Sequence, residues 1–150
     1  MRNDLLQILF LLLVLVFGAG AEELLPKFGG VGCPVLLVAV QVLAPRLRLP
    51  LALLFAAAAG AAEDALSGLM PMTSVSYFLL AAALVRAVGL PALATAFTFP
   101  CYQLWLAVWT GGLNVFTRIL LSVPAGLLTA SAVAGLISFL MRKAAIDECG

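Results

Sequence analysis

Long apolar runs alternate with short breaks that contain charged residues, Pro or Gly along the whole chain. The hydrocarbon core of a bilayer is about 30 Å thick and a helix rises about 1.5 Å per residue, so one crossing takes about 20 residues. The breaks divide the chain into stretches near this length, each of which predicts a transmembrane helix. The predicted spans cover residues 5–21, 31–47, 49–66, 73–89, 91–110 and 116–141.

Two parts of this pattern leave alternatives open. Spans 31–47 and 49–66 are short, so they could form a re-entrant hairpin, which would lower the count to four crossings. The small residues Ala19 and Ala21 after the first apolar run also resemble a signal-peptide cleavage site. A retained first helix is favoured, because the run is long for a signal sequence and Asp4 weakens its basic flank.

The composition excludes a water-soluble domain and several classes of function. Of the 150 residues, 65% are apolar and 10% are charged, and the mean hydropathy is +1.21. Soluble domains are about 45 to 50% apolar, so the outer surface of this chain must face lipid. We interpret residues 1–150 as a single transmembrane domain, because no linker or repeat divides them.

The few polar residue types give no sign of nucleic-acid binding, of a metal site or of a cofactor site. The net charge is +1, and the basic residues stand singly or in pairs. Histidine is absent, which removes the commonest general base and metal ligand. Cys33, Cys101 and Cys149 share no metal-binding spacing and are interpreted as small apolar residues.

The distribution of Lys and Arg predicts the orientation in the membrane, because cytoplasmic loops carry an excess of these residues. With a cytoplasmic N-terminus and six crossings, the outer loops hold Lys27 and the borderline Arg118. The basic residues of the inner segments are Arg2, Arg46, Arg48, Arg86, Arg142 and Lys143. We therefore expect both termini in the cytoplasm.

The most informative polar cluster is the segment Gly60, Glu63, Asp64, Ser67 and Gly68 at the outer end of the third span. An ionisable residue at the centre of a membrane helix costs about 2.5 to 3.5 kcal/mol, so such residues are functional candidates. The alternative is an interfacial helix end, where this cost largely disappears. Adjacent helical residues point about 100° apart, so Glu63 and Asp64 do not form a catalytic acid/base pair.

Asp64 lies four residues after Gly60, which places both on one helical face. A carboxylate turned into the bundle needs a cation or hydrogen-bond donors. The nearest candidates are Arg118 and the amides around Thr73 and Ser74, where one of the two residues is also the expected N-cap of the fourth helix.

Tyr102, Trp105 and Trp109 recur at helical spacing and form one aromatic stripe on the fifth span. We expect Trp109 to anchor at the membrane interface, and the deeper Tyr102 and Trp105 to pack in the core.

The chain resembles the bacterial rod-shape-determining MreD family over nearly its whole length. The segment Leu24–Val31 is similar to the loop after the first helix of that family. Gly60–Gly68 is similar to its Gly-x-x-x-Asp-x-x-Ser-Gly motif, and Tyr77 follows in the next helix as in the family. A last helix that opens near Arg118 also fits. The chain departs from the pattern at 69–72, where a further glycine is expected and Leu-Met-Pro-Met stands.

The resemblance implies a non-catalytic subunit of the cell-wall elongation machinery in the bacterial cytoplasmic membrane. It implies MreC, the MreB filament and the peptidoglycan synthases as partners, beside membrane lipid. The residues that would serve partner binding or structure are Gly60, Asp64, Ser67, Gly68, Tyr77 and Arg118.

The alternative function is that of a substrate-binding subunit of an energy-coupling-factor transporter, which is similar in size and topology. Such a subunit needs an outward pocket with several convergent polar groups. The outer loops offer few polar residues for that purpose.

Overall fold

The computed structural model describes residues 2–25, 31–68, 70–110 and 115–147. These residues form six α-helices and no β-strand, which confirms the all-α class. The helices are α1 (Arg2–Leu24), α2 (Val35–Leu43), α3 (Leu49–Ser67), α4 (Thr73–Val88), α5 (Pro91–Thr110) and α6 (Val115–Asp147). Lys27, most of the Leu24–Val31 segment and Cys149 lie outside the described residues, as do the side chains of Arg2, Trp109, Arg142 and Lys143.

Three helices are long and apolar enough to cross a membrane, which supports the assignment as a membrane protein. The qualifying segments are Leu5–Leu24, Leu49–Ser67 and Val115–Leu140. Thr73–Val88 and Leu93–Val108 are apolar but shorter. The count of six crossings therefore stays a prediction.

The segment predicted as the second span contains a helix of only nine residues, Val35–Leu43. At about 1.5 Å per residue this helix is about 14 Å long, roughly half the bilayer core. Pro34 and Pro45 flank it, and proline both lacks the N–H of a helical turn and restricts the residue before it. All eight residues from Leu36 to Leu43 are buried, so α2 lies enclosed in the bundle.

Contacts at the two ends of α2 distinguish two ends of the bundle. Leu36 at the start of α2 contacts Glu22 at the end of α1. At the opposite end, the Arg86 guanidinium donates to the carbonyls of Ala44 and Leu47, at 2.5 and 2.7 Å. We call the first the acidic end, which holds Glu22, Glu63 and Asp64, and the second the basic end, which holds Arg46, Arg48 and Arg86.

Candidate functional site at the acidic end

Gly60 brings α3 and α4 into close contact. A Cβ built at Gly60 would lie 2.6 Å from the Cα of Val75 and 2.7 Å from its backbone nitrogen. Real Cβ atoms do not approach backbone so closely, so the contact requires a residue without a side chain. This is the close packing of backbones that small residues permit in membrane bundles.

Asp64, one turn after Gly60, binds the beginning of α4. Its side chain is 5% exposed, and Oδ1 accepts a hydrogen bond of 2.8 Å from the backbone N–H of Ser74. Gly60 and Asp64 are both buried in α3, as expected from their spacing. The carboxylate satisfies an N–H that has no partner within α4 and carries negative charge at the positive end of its dipole.

The expected N-cap of α4 is wrong, and of the two kinds of partner considered for Asp64 the structure has the amide. The N-cap residue of α4 is Met72, without a side-chain cap bond, and Thr73 and Ser74 are already helical. The capping oxygen comes instead from a neighbouring helix. Among the described residues Asp64 forms no ion pair with Arg118, which is half-buried near the start of α6. The backbone N–H of Ser74, at the start of α4, is thus the partner of the Asp64 carboxyl group in place of the Arg118 guanidinium.

Ser67 and Gly68 end α3 and complete the motif. The Ser67 hydroxyl donates to Glu63 Oε1 at 3.1 Å, on an exposed face. Gly68 is the C-cap with φ of 63°, in the left-handed region that glycine favours, and its N–H donates to the carbonyl of Asp64. Within the Gly-x-x-x-Asp-x-x-Ser-Gly segment, Gly60 and Asp64 therefore contact α4, and Gly68 ends α3.

Met72 adopts a left-handed conformation with φ of 75° and ψ of −2°. It lies in the short loop between α3 and α4, and non-glycine residues meet steric strain at such angles. Methionine thus adopts a backbone conformation that glycine favours.

We predict that Met72→Gly stabilises the protein by about 1 kcal/mol, because it removes this strain. The Met72 side chain is 69% exposed, so little packing is lost. The measurement is unfolding by SDS titration in mixed micelles. Met70→Gly is the matched control, since Met70 is 71% exposed but has no positive φ; an equal gain from both changes would contradict the explanation.

Tyr77 and the aromatic stripe join α4 to α5. The Tyr77 hydroxyl donates to the carbonyl of Thr98, and its ring centroid lies 5.0 Å from that of Tyr102. Tyr102 is 3% exposed, and its hydroxyl is 2.7 Å from the hydroxyl of Ser74. Trp105 Nε1 donates to the carbonyl of Thr73 at 3.2 Å. Tyr102 therefore packs in the interior, as expected, whereas the expected core position of Trp105 is wrong, because its side chain is 37% exposed.

Gln41 and the half-buried Glu22 carry contacts that the sequence pattern did not predict. Gln41 is fully buried in α2, where its Nε2 donates to the Thr98 hydroxyl and its Oε1 accepts from the Thr95 hydroxyl. Glu22 Oε1 accepts a hydrogen bond of 2.8 Å from the backbone N–H of Leu36. A lone amide inside an apolar run was the available signal for Gln41, since polar groups in membrane segments mark functional or structural contacts.

A small polar cavity opens at the acidic end. Its volume is about 60 Å³, and its polar lining includes Glu22, Glu23, Glu63, Ser67 and Tyr102. Pockets for small molecules usually measure about 300 to 1,000 Å³, so this space suits water-sized occupants. In the described part of the chain, no group of three or more His, Cys, Asp or Glu is arranged to hold a metal ion.

A larger groove of about 380 Å³ lies between α6 and the beginning of α2. Its lining is apolar apart from Cys33 and Thr129, and the Thr129 hydroxyl donates to the carbonyl of Ala125 in its own helix. Such a lining offers little to orient a polar ligand.

Comparison of the chain with protein-family models, with curated proteins and with solved structures finds no match. The resemblance to the MreD family therefore stays a prediction from the residues quoted above.

Proposed function

We propose that this chain is a non-catalytic membrane subunit that scaffolds partner proteins of the bacterial cell-wall elongation machinery, as members of the MreD family do. The observation that supports the proposal is that the motif residues make structural contacts. Gly60 and Asp64 form contacts between α3 and α4, and Ser67 and Gly68 end α3. A rigid hairpin of this kind suits a protein that acts through the shape of its helix faces.

The small cavity and the apolar groove among the described residues favour a scaffold over a transporter subunit. The polar cavity of about 60 Å³ is several-fold smaller than a usual small-molecule pocket. The groove of about 380 Å³ has the volume but lacks convergent polar groups. We therefore prefer the scaffold to a substrate-binding subunit of an energy-coupling-factor transporter.

In the proposed arrangement the chain crosses the bacterial cytoplasmic membrane six times, with both termini in the cytoplasm. The basic end, with Arg46, Arg48 and Arg86, faces the cytoplasm, in accordance with the excess of Lys and Arg on that side of membrane proteins. The acidic end faces outward, where an MreC-like partner would meet it. The MreB filament would be reached from the basic end.

The test is purification of the tagged chain from native membranes, followed by identification of the proteins and small molecules retained. The proposal expects a membrane-anchored periplasmic coiled-coil protein of the MreC type, and a lower yield of it with Asp64→Leu than with Glu63→Gln. Absence of such a protein, together with a bound small molecule in stoichiometric amount, would favour the transporter subunit.

A further inference from the structure

The polar cavity at the acidic end adjoins the apolar groove beside α6. Cys33, in the segment before α2, lines both spaces. The next two residues divide between them, since Pro34 lines the cavity and Val35 lines the groove. At the end of α1, Glu23 lines the cavity and Leu25 lines the groove. The two spaces therefore lie side by side along the same two segments of the chain.

The groove opens to the surroundings of the bundle. On α6, Leu128 is 71% exposed and Leu136 is 58% exposed, although both side chains are large and apolar. In a membrane such side chains face acyl chains or another helix. The apolar lining consists of Leu25, Val35, Leu128, Ala132, Val133 and Leu136. A hydrocarbon chain fits a groove of this kind through van der Waals contact alone.

The lining of the cavity has an excess of hydrogen-bond acceptors. Glu22, Glu23 and Glu63 line it, and its described lining residues include neither Lys nor Arg. Ionised carboxyl groups accept hydrogen bonds and donate none. Glu22 Oε2 is buried and receives no hydrogen bond from the described part of the chain. Lys27 lies outside the described residues. A cation with several N–H donors therefore complements this lining in charge and in hydrogen bonding.

The volume of the cavity, about 60 Å³, restricts the kind of cation. A primary ammonium group has a single heavy atom, as water does, and carries N–H donors in the same way as the end of a lysine side chain. A trimethylammonium group has three more carbon atoms and no N–H donor. The cavity is therefore suited to a primary ammonium group and not to a quaternary one.

We propose that the groove and the cavity together bind one phospholipid whose headgroup carries a primary ammonium, taken from the leaflet at the acidic end. One acyl chain lies in the groove against α6, and the ammonium group lies among the carboxyl groups of the cavity. The charge of the ammonium offsets the mutual repulsion of these carboxylates. The lipid thus joins α1, α3 and α6 at this end of the bundle. This site does not depend on the proposed scaffold role.

The test is native mass spectrometry of the full chain after release from nanodiscs of mixed lipids. The nanodiscs contain equal amounts of phosphatidylethanolamine, phosphatidylcholine and phosphatidylglycerol with identical acyl chains. Phosphatidylcholine lacks N–H donors, and phosphatidylglycerol lacks a cation. We expect one phosphatidylethanolamine per chain, preferred about tenfold over each of the others, a ratio that one charge-assisted hydrogen bond is sufficient to give. Equal retention of the three lipids, or a dimer of the chain without bound lipid, would overturn the proposal.

Glu23→Gln and Glu63→Gln test the contact with the headgroup. Each change removes one negative charge from the cavity lining, so each should lower the preference for phosphatidylethanolamine several-fold. Glu23 is exposed, so at least this variant should fold like the unmodified protein. Asp64→Asn is the control, because Asp64 is a buried acid of α3 outside the cavity lining, and it should keep the preference. An unchanged preference in both cavity variants would contradict the ammonium contact.

Ala132→Trp tests the contact with the acyl chain. The indole ring fills part of the groove, so this variant should retain less lipid. Ser131→Trp is the matched control, since Ser131 is an exposed neighbour on α6 outside the groove lining. Free ethanolamine carries the same ammonium group without acyl chains and should not displace the lipid at equal concentration. Equal lipid retention in the two Trp variants, or displacement of the lipid by ethanolamine, would show that the groove holds no acyl chain.

Discussion

Gly60→Ala is expected to destabilise the bundle by about 1 to 3 kcal/mol, the usual cost of overpacking a close contact. The added Cβ would lie 2.6 Å from the Cα of Val75. The neighbour is the backbone of α4, which has no rotamer to change, so the two helices must separate. Because Asp64 lies on the same face as Gly60, this movement also lengthens its hydrogen bond to Ser74.

Gly135→Ala is the matched control for this change. A Cβ at Gly135 of α6 would meet no atom within 4 Å. Alanine is the better helix former by about 1 kcal/mol, so this variant should be equally or more stable. SDS titration in mixed micelles measures both. A Gly60→Ala variant as stable as Gly135→Ala would show that α3 and α4 are not in close contact.

Asp64→Leu is expected to destabilise the protein by about 1 to 3 kcal/mol, the cost of leaving a buried donor without a partner. Ser74 is fully buried, and its N–H would lose the Asp64 Oδ1 acceptor. Leucine is branched at Cγ like aspartate, although it is larger, and it accepts no hydrogen bond. The beginning of α4 would also lose a negative charge at its positive dipole end.

Two further variants show whether the cap or the negative charge is responsible. Asp64→Asn keeps an oxygen that can accept from Ser74, so most of the stability should remain. Glu63→Gln alters a carboxyl whose hydrogen bond with Ser67 is exposed, so it should change the stability little. Equal stability of Asp64→Leu and Glu63→Gln in the same titration would contradict the capping role.

Helix bounds were predictable where local residues determine them. The fifth predicted span, 91–110, coincides with α5, and the bounds of α3 and α4 agree within one residue. Pro91, Gly68 and Gly89 mark those ends, since proline begins and left-handed glycine ends a helix by local geometry. The length predicted for α2 was wrong, because an apolar segment has the same sequence pattern whether lipid or other helices surround it.

The site was predictable only in part, for a related reason. The spacing of Gly60 and Asp64 is sufficient to place them on one face, and the short loop after α3 makes the Ser74 amide a near candidate. The contacts Glu22 to Leu36 and Gln41 to Thr98 join different helices, across 14 and 57 residues of sequence. Such contacts depend on the arrangement of whole helices, which local pattern does not determine.

The proposed protein is an integral membrane bundle whose acidic end faces outward and whose basic end faces the cytoplasm. Single cysteines at Met70 and Leu90, both exposed, report on the two ends. The variants lack the three native cysteines and are expressed in cells. In intact cells, a membrane-impermeant maleimide should label the cysteine at position 70. Position 90 should react only after the membrane is permeabilised. Labelling of position 90 from outside, or equal labelling of both positions in intact cells, would contradict the account.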